Sequence, residues 1–333
     1  MAAATSDSAT LARALATRLQ AGDRTALAQA ITLIESTRAD HRDTAEALLA
    51  AILPASGKSL RLGVTGAPGV GKSTFIETFG LMSLAAGRRV AVLAVDPSSK
   101  TTGGSILGDK TRMGDLARQA DAFIRPSPAG PMLGGVARRT REAVWLCEAA
   151  GFDLVIVETV GVGQSETAVA DLVDLCLLMI APGGGDELQG IKKGIVEVAD
   201  LLTVNKADGD LAPAAQRAAS EYNHALRLLR PAGAAVPVFA ISALEKRGVE
   251  KLRQHVEATA HARTQDGALD RKRTAQARAA LWSEIGENLL DALKRDPAVA
   301  KLLPALEAEV ASARLTPSAA ASRVLAAFRG VPS

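Results

Sequence analysis

The chain has 333 residues, 48% of them hydrophobic, and contains no apolar run long enough to span a bilayer. This composition predicts a globular protein with one main core and argues against a membrane enzyme or a membrane partner. A net charge of +3 and an aromatic content of 3% indicate neither a basic patch nor a stacking platform, so we expect no nucleic-acid partner.

The start of the chain and its cysteines bear on location. The amino-terminal residues lack the continuous apolar core of a secretory signal, and Asp7 and Asp23 argue against a transit peptide. Cys147 and Cys176 both lie in apolar runs, which favours core packing under reducing conditions over a disulfide or a ligand pair. We therefore expect a cytoplasmic protein.

The first part of the chain, residues 1–56, shows only helical periodicity. Apolar residues recur there in three groups, Leu11, Leu15 and Leu19, then Leu27, Ile31 and Ile34, then Ala45, Leu48, Leu49 and Ile52. Spacings of three and four residues are typical of amphipathic helices. The pattern predicts a small helical domain over residues 1–56.

Residues 57–260 alternate short apolar runs with helical patterns. Seven runs are candidate strands: LRLGVTG, RVAVLAVD, AFIRPS, FDLVIVET, LCLLMIAP, LLTVNKA and PVFAISA. Continuous apolar runs are typical of strands buried on both faces, which predicts an α/β fold with a mostly parallel central sheet flanked by helices. Residues 261–333 are helical again, ending near Gly330, and are expected to form an extension that clamps the fold or contacts another subunit.

The stretch GAPGVGKSTF, residues 66–75, has the spacing of a phosphate-binding loop. Its glycines let the backbone approach phosphate oxygens, Lys72 is placed to reach the β and γ phosphates, and the Ser73 hydroxyl can ligate Mg²⁺. A predicted strand precedes it and a predicted helix follows, as this P-loop requires, which argues against a plain Gly-rich turn. The residues predicted to bind the nucleotide here are Gly66, Ala67, Pro68, Gly69, Val70, Gly71, Lys72, Ser73 and Thr74.

A second motif, NKAD at residues 205–208, indicates which base is bound. The Asp208 carboxylate can accept two hydrogen bonds from guanine, through N1–H and the exocyclic amine, whereas adenine offers no such pair. NKAD alone also occurs as a chance loop, but here it follows a P-loop and a predicted strand. The residues predicted to contact the base are Asn205, Lys206 and Asp208, backed by Ser242, Ala243 and Leu244.

Carboxylates at strand ends supply candidate metal ligands. Asp96 ends RVAVLAV and Glu158 ends FDLVIV, so both should reach the edge where a phosphate-bound Mg²⁺ would lie, although either could instead cap a helix. The ETVG at 158–161 resembles the Asp-x-x-Gly of many GTPases, which makes Gly161 the expected sensor of the γ phosphate. Gln164 is a candidate for orienting the attacking water, so the predicted catalytic residues are Lys72, Glu158 and Gln164.

Four longer stretches closely resemble the MeaB/ArgK family of P-loop GTPases. They are AVDPSSKTTGGSILGDKTRM (94–113), RPSPAGPMLGGVARRTREA (125–143), ETVGVGQSE (158–166) and APGGGDELQGIKKGI (181–195). The resemblance implies a G protein chaperone for an adenosylcobalamin-dependent acyl-CoA mutase, typically methylmalonyl-CoA mutase. Such a chaperone gates cofactor loading and protects or rescues the mutase, as a homodimer held by its carboxy-terminal helices. Adenosylcobalamin is then expected on the partner and not on this chain.

The resemblance also implies roles for particular residues. Asp96 and Asp109 match acidic positions near the Mg²⁺ shell, with residues 98–113 as a first switch and 158–166 as a second. Residues 183–193 match an additional switch, with a solvated helix start as the alternative for its two lysines. Its residues expected to respond to nucleotide or partner are Asp186, Glu187, Gln189, Lys192 and Lys193. Weak GTP hydrolysis that rises when the mutase binds is expected.

Three other functions account for these motifs less well. A nickel-inserting GTPase would need a His- or Cys-rich metal store, but the four histidines are scattered. A signal-recognition GTPase would need a Met-rich domain, and the chain has five methionines. A kinase or ATPase acting on a transport-system protein would use the same phosphate loop and Mg²⁺ ligands, but NKAD favours guanine.

Overall fold

The computed structural model of the protein describes residues 2–36, 38–96, 113–128, 133–159, 169–182, 198–229 and 236–330. The chain forms two compact units, Met1–Arg273 and Thr274–Ser333. The three-part division predicted from the sequence, with boundaries at residues 56 and 260, stays a prediction.

Within the described residues, the first unit starts with three helices and continues with strands and further helices. Its strands are β1 (Leu60–Gly66), β2 (Val90–Asp96), β3 (Ala122–Pro128), β4 (Leu154–Thr159), β5 (Leu175–Ile180), β6 (Leu201–Val204) and β7 (Val238–Ala240). Its helices are α1 (Ala2–Gln20), α2 (Arg24–Glu35), α3 (Ala39–Ile52), α4 (Lys72–Ala85), α5 (Gly114–Ala117), α6 (Leu133–Ala149), α7 (Ala212–Leu229) and α8 (Val249–Gln265). Helix α9 (Ala268–Arg295) begins in this unit, and α10 (Pro297–Ala311) and α11 (Pro317–Phe328) belong to the second.

The seven strands form one parallel sheet in the order β3-β2-β4-β1-β5-β6-β7. Each strand falls on one of the seven apolar runs, so the predicted sheet is confirmed. In the register, Val64 of β1 lies beside Glu158 of β4, and Gly66 lies beside Met179 of β5. Because all strands are parallel, the carboxyl ends of β1, β4, β5, β6 and β7 lie at one edge of the sheet, where open α/β folds bind ligands.

Both faces of the sheet are covered by helices. On one face, Leu62 and Val64 of β1 share a buried cluster with Phe75 and Phe79 of α4 and with Leu252 of α8. This double cover explains why the strands read as continuous apolar runs instead of alternating ones.

Helices α1, α2 and α3 pack into the core on the other face of the sheet. Leu27 and Leu48 are fully buried there in the same cluster as Val155 of β4. Leu11, one of the regularly spaced leucines of α1, is 62% exposed, while Ala12 and Ala16 are buried. The small alanines let the backbone of α1 approach α3 closely, which the leucine spacing did not reveal.

The second unit has a small core of its own. Val299 and Leu306 of α10 pack with Ala320 and Val324 of α11. The two helices begin at N-cap residues, Asp296 and Thr316, whose side chains accept from backbone N–H groups of the first turn. The helical extension predicted beyond residue 260 is thereby confirmed.

The cysteines lie in the core as predicted. Cys147 and Cys176 are both free and buried. In the part of the chain that the structure describes, no helix combines the length and the apolar character needed to cross a membrane.

Candidate nucleotide-binding site

The phosphate loop, residues 66–73, runs from the central strand β1 into helix α4 and depends on glycine at two tight points. Gly66 has φ 147° and Gly71 has φ 95°, backbone conformations that side-chain-bearing residues rarely adopt. A Cβ on Gly66 would clash with the backbone carbonyl of Met179, and one on Gly71 would lie 2.6 Å from the side-chain nitrogen of Asn205. The sequence therefore folds this loop tightly against β5 and against the loop after β6.

Lys72 opens helix α4, and its amine is folded back over the phosphate loop. The side chain is buried, and Nζ donates to the carbonyl of Gly66 over 2.7 Å and to that of Ala67 over 3.1 Å. The free N–H groups of the first helical turn add positive potential at the same place. A phosphate group bound in this loop would meet both a cation and a helix N-terminus.

Ser73 and Glu158 bring a hydroxyl and a carboxylate together beside the loop. The Ser73 hydroxyl donates to Glu158 Oε1 over 3.2 Å, because the pairing of β1 with β4 sets Glu158 next to Val64. Glu158 is only 7% exposed. Asp96 ends the neighbouring strand β2, where Val95 pairs with Thr159, and the position of its side chain lies outside the described part of the structure.

These oxygens fit a hard cation such as Mg²⁺, which prefers a few protein oxygens and keeps several waters. Within the described ranges, no three His, Cys, Asp or Glu side chains group together as a complete metal site. A cation here would thus depend on Ser73 and Glu158 together with phosphate oxygens and water.

The NKAD loop, residues 205–208, is fastened directly to the phosphate loop. The Asn205 side chain is buried, its Nδ2 donates to the carbonyl of Val70 over 2.9 Å, and its Oδ1 accepts from the N–H of Ala243 over 3.0 Å. One amide therefore joins the phosphate loop to the base loop, which we define as residues 242–244.

Asp208 faces the base loop through a short hydrogen bond. The Ser242 hydroxyl donates to Asp208 Oδ2, and Ser242 Oγ accepts in turn from the N–H of Glu245 over 3.0 Å. A carboxylate has further lone pairs, so Asp208 keeps acceptor capacity for a ligand. Lys206 adopts φ 60° beside it, and Leu244 is 75% exposed at the end of the base loop.

The structure thus brings the phosphate loop, Glu158, the NKAD loop and the base loop to one edge of the sheet. The other predicted site residues lie outside the described ranges, and their roles stay predictions. They are Asp109, Gly161, Gln164, Asp186, Glu187, Gln189, Lys192 and Lys193.

Sequence reasoning missed two threonine contacts near this edge. Thr78 of α4 donates to the carbonyl of Ala243 over 2.9 Å, and Thr159 of β4 donates to Thr65 of β1 over 2.9 Å. Thr78 belongs to none of the motifs, and Thr159 lies within ETVG, where nothing specifies Thr65 as its partner. For Thr78 the available signal was weak: a threonine inside a helix, where the helix propensity of threonine is poor.

A Gly-rich loop between a central parallel strand and a helix, with NKAD at the end of another strand of the same sheet, defines a P-loop GTPase. A family model described as "Methylmalonyl Co-A mutase-associated GTPase MeaB" matches residues 27–298. The chain belongs to this MeaB family, which confirms the resemblance noted from the sequence.

Individual relatives span most of the chain. It is 51% identical over 292 residues to "GTPase ArgK" of Escherichia coli, covering 86% of each protein. It is 47% identical over 327 residues to "Methylmalonic aciduria type A homolog, mitochondrial" of Mus musculus, covering 95% of this chain and 79% of the relative. The solved "Crystal structure of LAO/AO transport system kinase" matches with a TM-score of 0.76 and 39% identity over 96% of this chain and 98% of that one.

Proposed function

We propose that this MeaB-family GTPase hydrolyses GTP at the site built from the phosphate, NKAD and base loops. The observation that supports this best is the buried Asn205 side chain, which joins Val70 to Ala243. This link fixes the distance between the phosphate loop and the base loop, and a nucleotide that binds both loops requires a fixed distance.

Different groups of the site bind the phosphates and recognise the base. Backbone N–H groups of the phosphate loop and the start of α4 bind the phosphates. The Lys72 amine leaves the carbonyls of Gly66 and Ala67 and pairs with the β and γ phosphates. Asp208 accepts from the guanine N1–H and amine. Because the carboxylate would otherwise lose its partners, bases that lack these donors are rejected.

Ser73 and Glu158, with Asp96 and Asp109 as further candidates, would hold a Mg²⁺ ion. When bound, Mg²⁺ neutralises charge that develops on the phosphate oxygens. Gly161 is proposed to sense the γ phosphate, and Gln164 to orient the attacking water.

We propose further that GTP hydrolysis serves a cobalamin-dependent acyl-CoA mutase. The family description names an association with methylmalonyl-CoA mutase, and the murine relative is named for methylmalonic aciduria. The chain would gate the loading of adenosylcobalamin onto the mutase, and it would protect or reactivate the mutase. A nucleotide-dependent switch can do this only if the mutase binds one nucleotide state of the chain more tightly than the other. The segment proposed to respond to the nucleotide or the mutase is 183–193, through Asp186, Glu187, Gln189, Lys192 and Lys193.

A homodimer through the carboxy-terminal helices is part of this proposal. Helix α9 has no buried residue, and Leu281, Trp282 and Leu289 are exposed on it, with Trp282 at 72%. Large apolar side chains in such numbers on one helix are typical of an interface. A cytoplasmic location is proposed on the basis of the free, buried thiols.

The deciding experiment is steady-state GTP hydrolysis by the purified chain, alone and with methylmalonyl-CoA mutase, with ATP as the control nucleotide. We expect slow hydrolysis of GTP alone, a clear rise with the mutase, and none with ATP. The Lys72→Ala variant should lose turnover. Turnover that ignores the mutase would contradict the chaperone role and leave the GTPase standing, whereas unchanged turnover in Lys72→Ala would contradict the site.

A protein kinase is the second candidate, since the solved relative carries the name of a transport system kinase. Transfer of label from the γ phosphate of GTP or ATP to a protein would support it. Release of labelled inorganic phosphate alone supports the GTPase.

A further inference from the structure

Ala243, in the middle of the base loop, is held from both sides by buried polar side chains. Its N–H donates to Asn205 Oδ1, and its carbonyl accepts from the hydroxyl of Thr78 over 2.9 Å. Ala243 is 2% exposed and Thr78 is 6% exposed, so water does not replace either bond. The base loop therefore has a second attachment, which leads to helix α4.

Helix α4 carries both the start of the phosphate site and this attachment. Lys72 is its first residue, and Thr78 lies six positions later, about 9 Å along the axis at 1.5 Å per residue. One rigid element thus sets the spacing between the groups that would hold the phosphates and the loop that would back the base. A nucleotide that binds both ends is sensitive to that spacing.

The Thr78 hydroxyl has two carbonyl groups to which it could donate, one in its own helix and one in the base loop. A threonine inside a helix commonly donates to the carbonyl four residues earlier in the same helix. Here the hydroxyl instead donates across 165 positions of sequence to Ala243. A buried carbonyl without a donor is costly, so the bond fixes the base loop in one position.

We propose that Thr78 is a positioning residue for the base of the bound nucleotide, acting through Ala243. This inference rests on the proposed GTP site. It adds a determinant of guanine affinity that lies outside the phosphate, NKAD and base loops and touches no part of the nucleotide.

The test uses the full chain and compares Thr78→Val, which has the same shape without the hydroxyl, with Thr78→Ser, which keeps it. Thr203→Val is the matched control. Thr203 is fully buried in β6, and its hydroxyl makes no hydrogen bond within the described residues. For each variant, the Kd for GDP, the Kd for inorganic tripolyphosphate and the Tm would be measured.

Loss of one net hydrogen bond corresponds to about a tenfold change in Kd. We expect Thr78→Val to weaken GDP binding by about tenfold while its Kd for tripolyphosphate stays within about twofold of the wild type. Thr78→Ser should restore GDP binding, and Thr203→Val should resemble the wild type. Thr78→Ala removes the same hydroxyl and replaces Thr78→Val in the comparison if the valine variant fails to fold.

Two results would overturn the inference. Wild-type GDP affinity in Thr78→Val would show that the bond does not position the base, and an equal loss for GDP and tripolyphosphate would show a general structural role. Failure of the proposed guanine site can be told apart from failure of the Thr78 role by the wild type alone. A wild type that binds ADP as tightly as GDP would overturn the guanine site itself, and with it this inference.

Discussion

Asn205 and Val70 are joined by a hydrogen bond of 2.9 Å between a side-chain amide and a carbonyl of the phosphate loop. The two residues follow strands β6 and β1, which are separated in the sheet by β5. The bond therefore crosses an intervening strand at the carboxyl edge. Because the same amide accepts from Ala243, the phosphate and base sides of the site cannot move independently.

Replacing Asn205 by Ala should weaken guanine nucleotide binding strongly. The change removes two hydrogen bonds and leaves the carbonyl of Val70 and the N–H of Ala243 without their partner. Losses of this kind cost about 2–3 kcal/mol, which corresponds to roughly 30- to 150-fold in Kd. Calorimetric titration with GDP measures it, with Thr203→Val as control. A Kd within about threefold of the wild type would refute the role of Asn205.

Replacing Asp208 by Asn should exchange guanine for xanthine. A carboxylate accepts from both N1–H and the amine of guanine, whereas an amide offers one acceptor and one donor, which match the N1–H and the O2 of xanthine. We expect GDP affinity to fall at least about 100-fold and XDP to become the tighter ligand, because a mismatched buried polar group is heavily penalised. Competition between GDP and XDP measures the change. An unchanged preference for GDP would place the base elsewhere.

The strands and loops of the site were predictable because their signals are local. Runs such as LVIVET, buried on both faces, contain little but apolar side chains, and the P-loop and NKAD are short motifs at strand ends. Their convergence at one edge follows from parallel strands. The sequence therefore predicts Glu158 at the edge of the sheet where the phosphate loop lies, and the structure shows it hydrogen-bonded to Ser73.

The contacts that tie the loops together were not predictable in the same way. Thr78 and Ala243 are 165 positions apart, and nothing in either local sequence specifies the partner. The buried face of α1 is a related case, because Leu11 is exposed while Ala12 and Ala16 are buried. Periodicity identifies a helix, but tertiary packing decides its buried face.

A buried ion pair at the opposite edge of the sheet should control stability and not catalysis. Arg61, at the start of β1, pairs with Glu148 of α6 over 2.8 Å, and the Glu148 side chain is fully buried. Glu148 also accepts from the N–H of Gly57 and the hydroxyl of Ser59. Removing the Arg61 guanidinium alone takes away the direct ion-pair partner of a buried carboxylate.

The Arg61→Met variant is therefore expected to lose about 3–5 kcal/mol in free energy of unfolding. Urea denaturation measures it. The matched control is Arg38→Met, which breaks the exposed pair with Asp40 and should change stability by less than about 1 kcal/mol. GTP turnover per folded molecule should stay unchanged in both variants. A loss below about 1 kcal/mol in Arg61→Met would contradict the structural role of the pair.

The two thiols should be inert in the folded protein over the usual pH range. Burial, with nearby Asp200 adding to it and Lys272 opposing it, raises the pKa of Cys176 to about 12. Burial and the neighbouring Glu148 raise the pKa of Cys147 still further above its ordinary value. Since the thiolate is the reactive form, neither side chain should react with iodoacetamide at pH 8.

The same shifts give stability a defined dependence on alkaline pH. Folding favours the neutral form of the Cys176 thiol, so the buried thiol contributes to the free energy of unfolding. This contribution is complete below the ordinary thiol pKa and is lost as the pH rises from there toward about 12. Labelling at pH 8 should be absent in the native state and should reach both cysteines in urea. Rapid labelling of native Cys176 would show that β5 is accessible to solvent, contrary to its position inside the sheet.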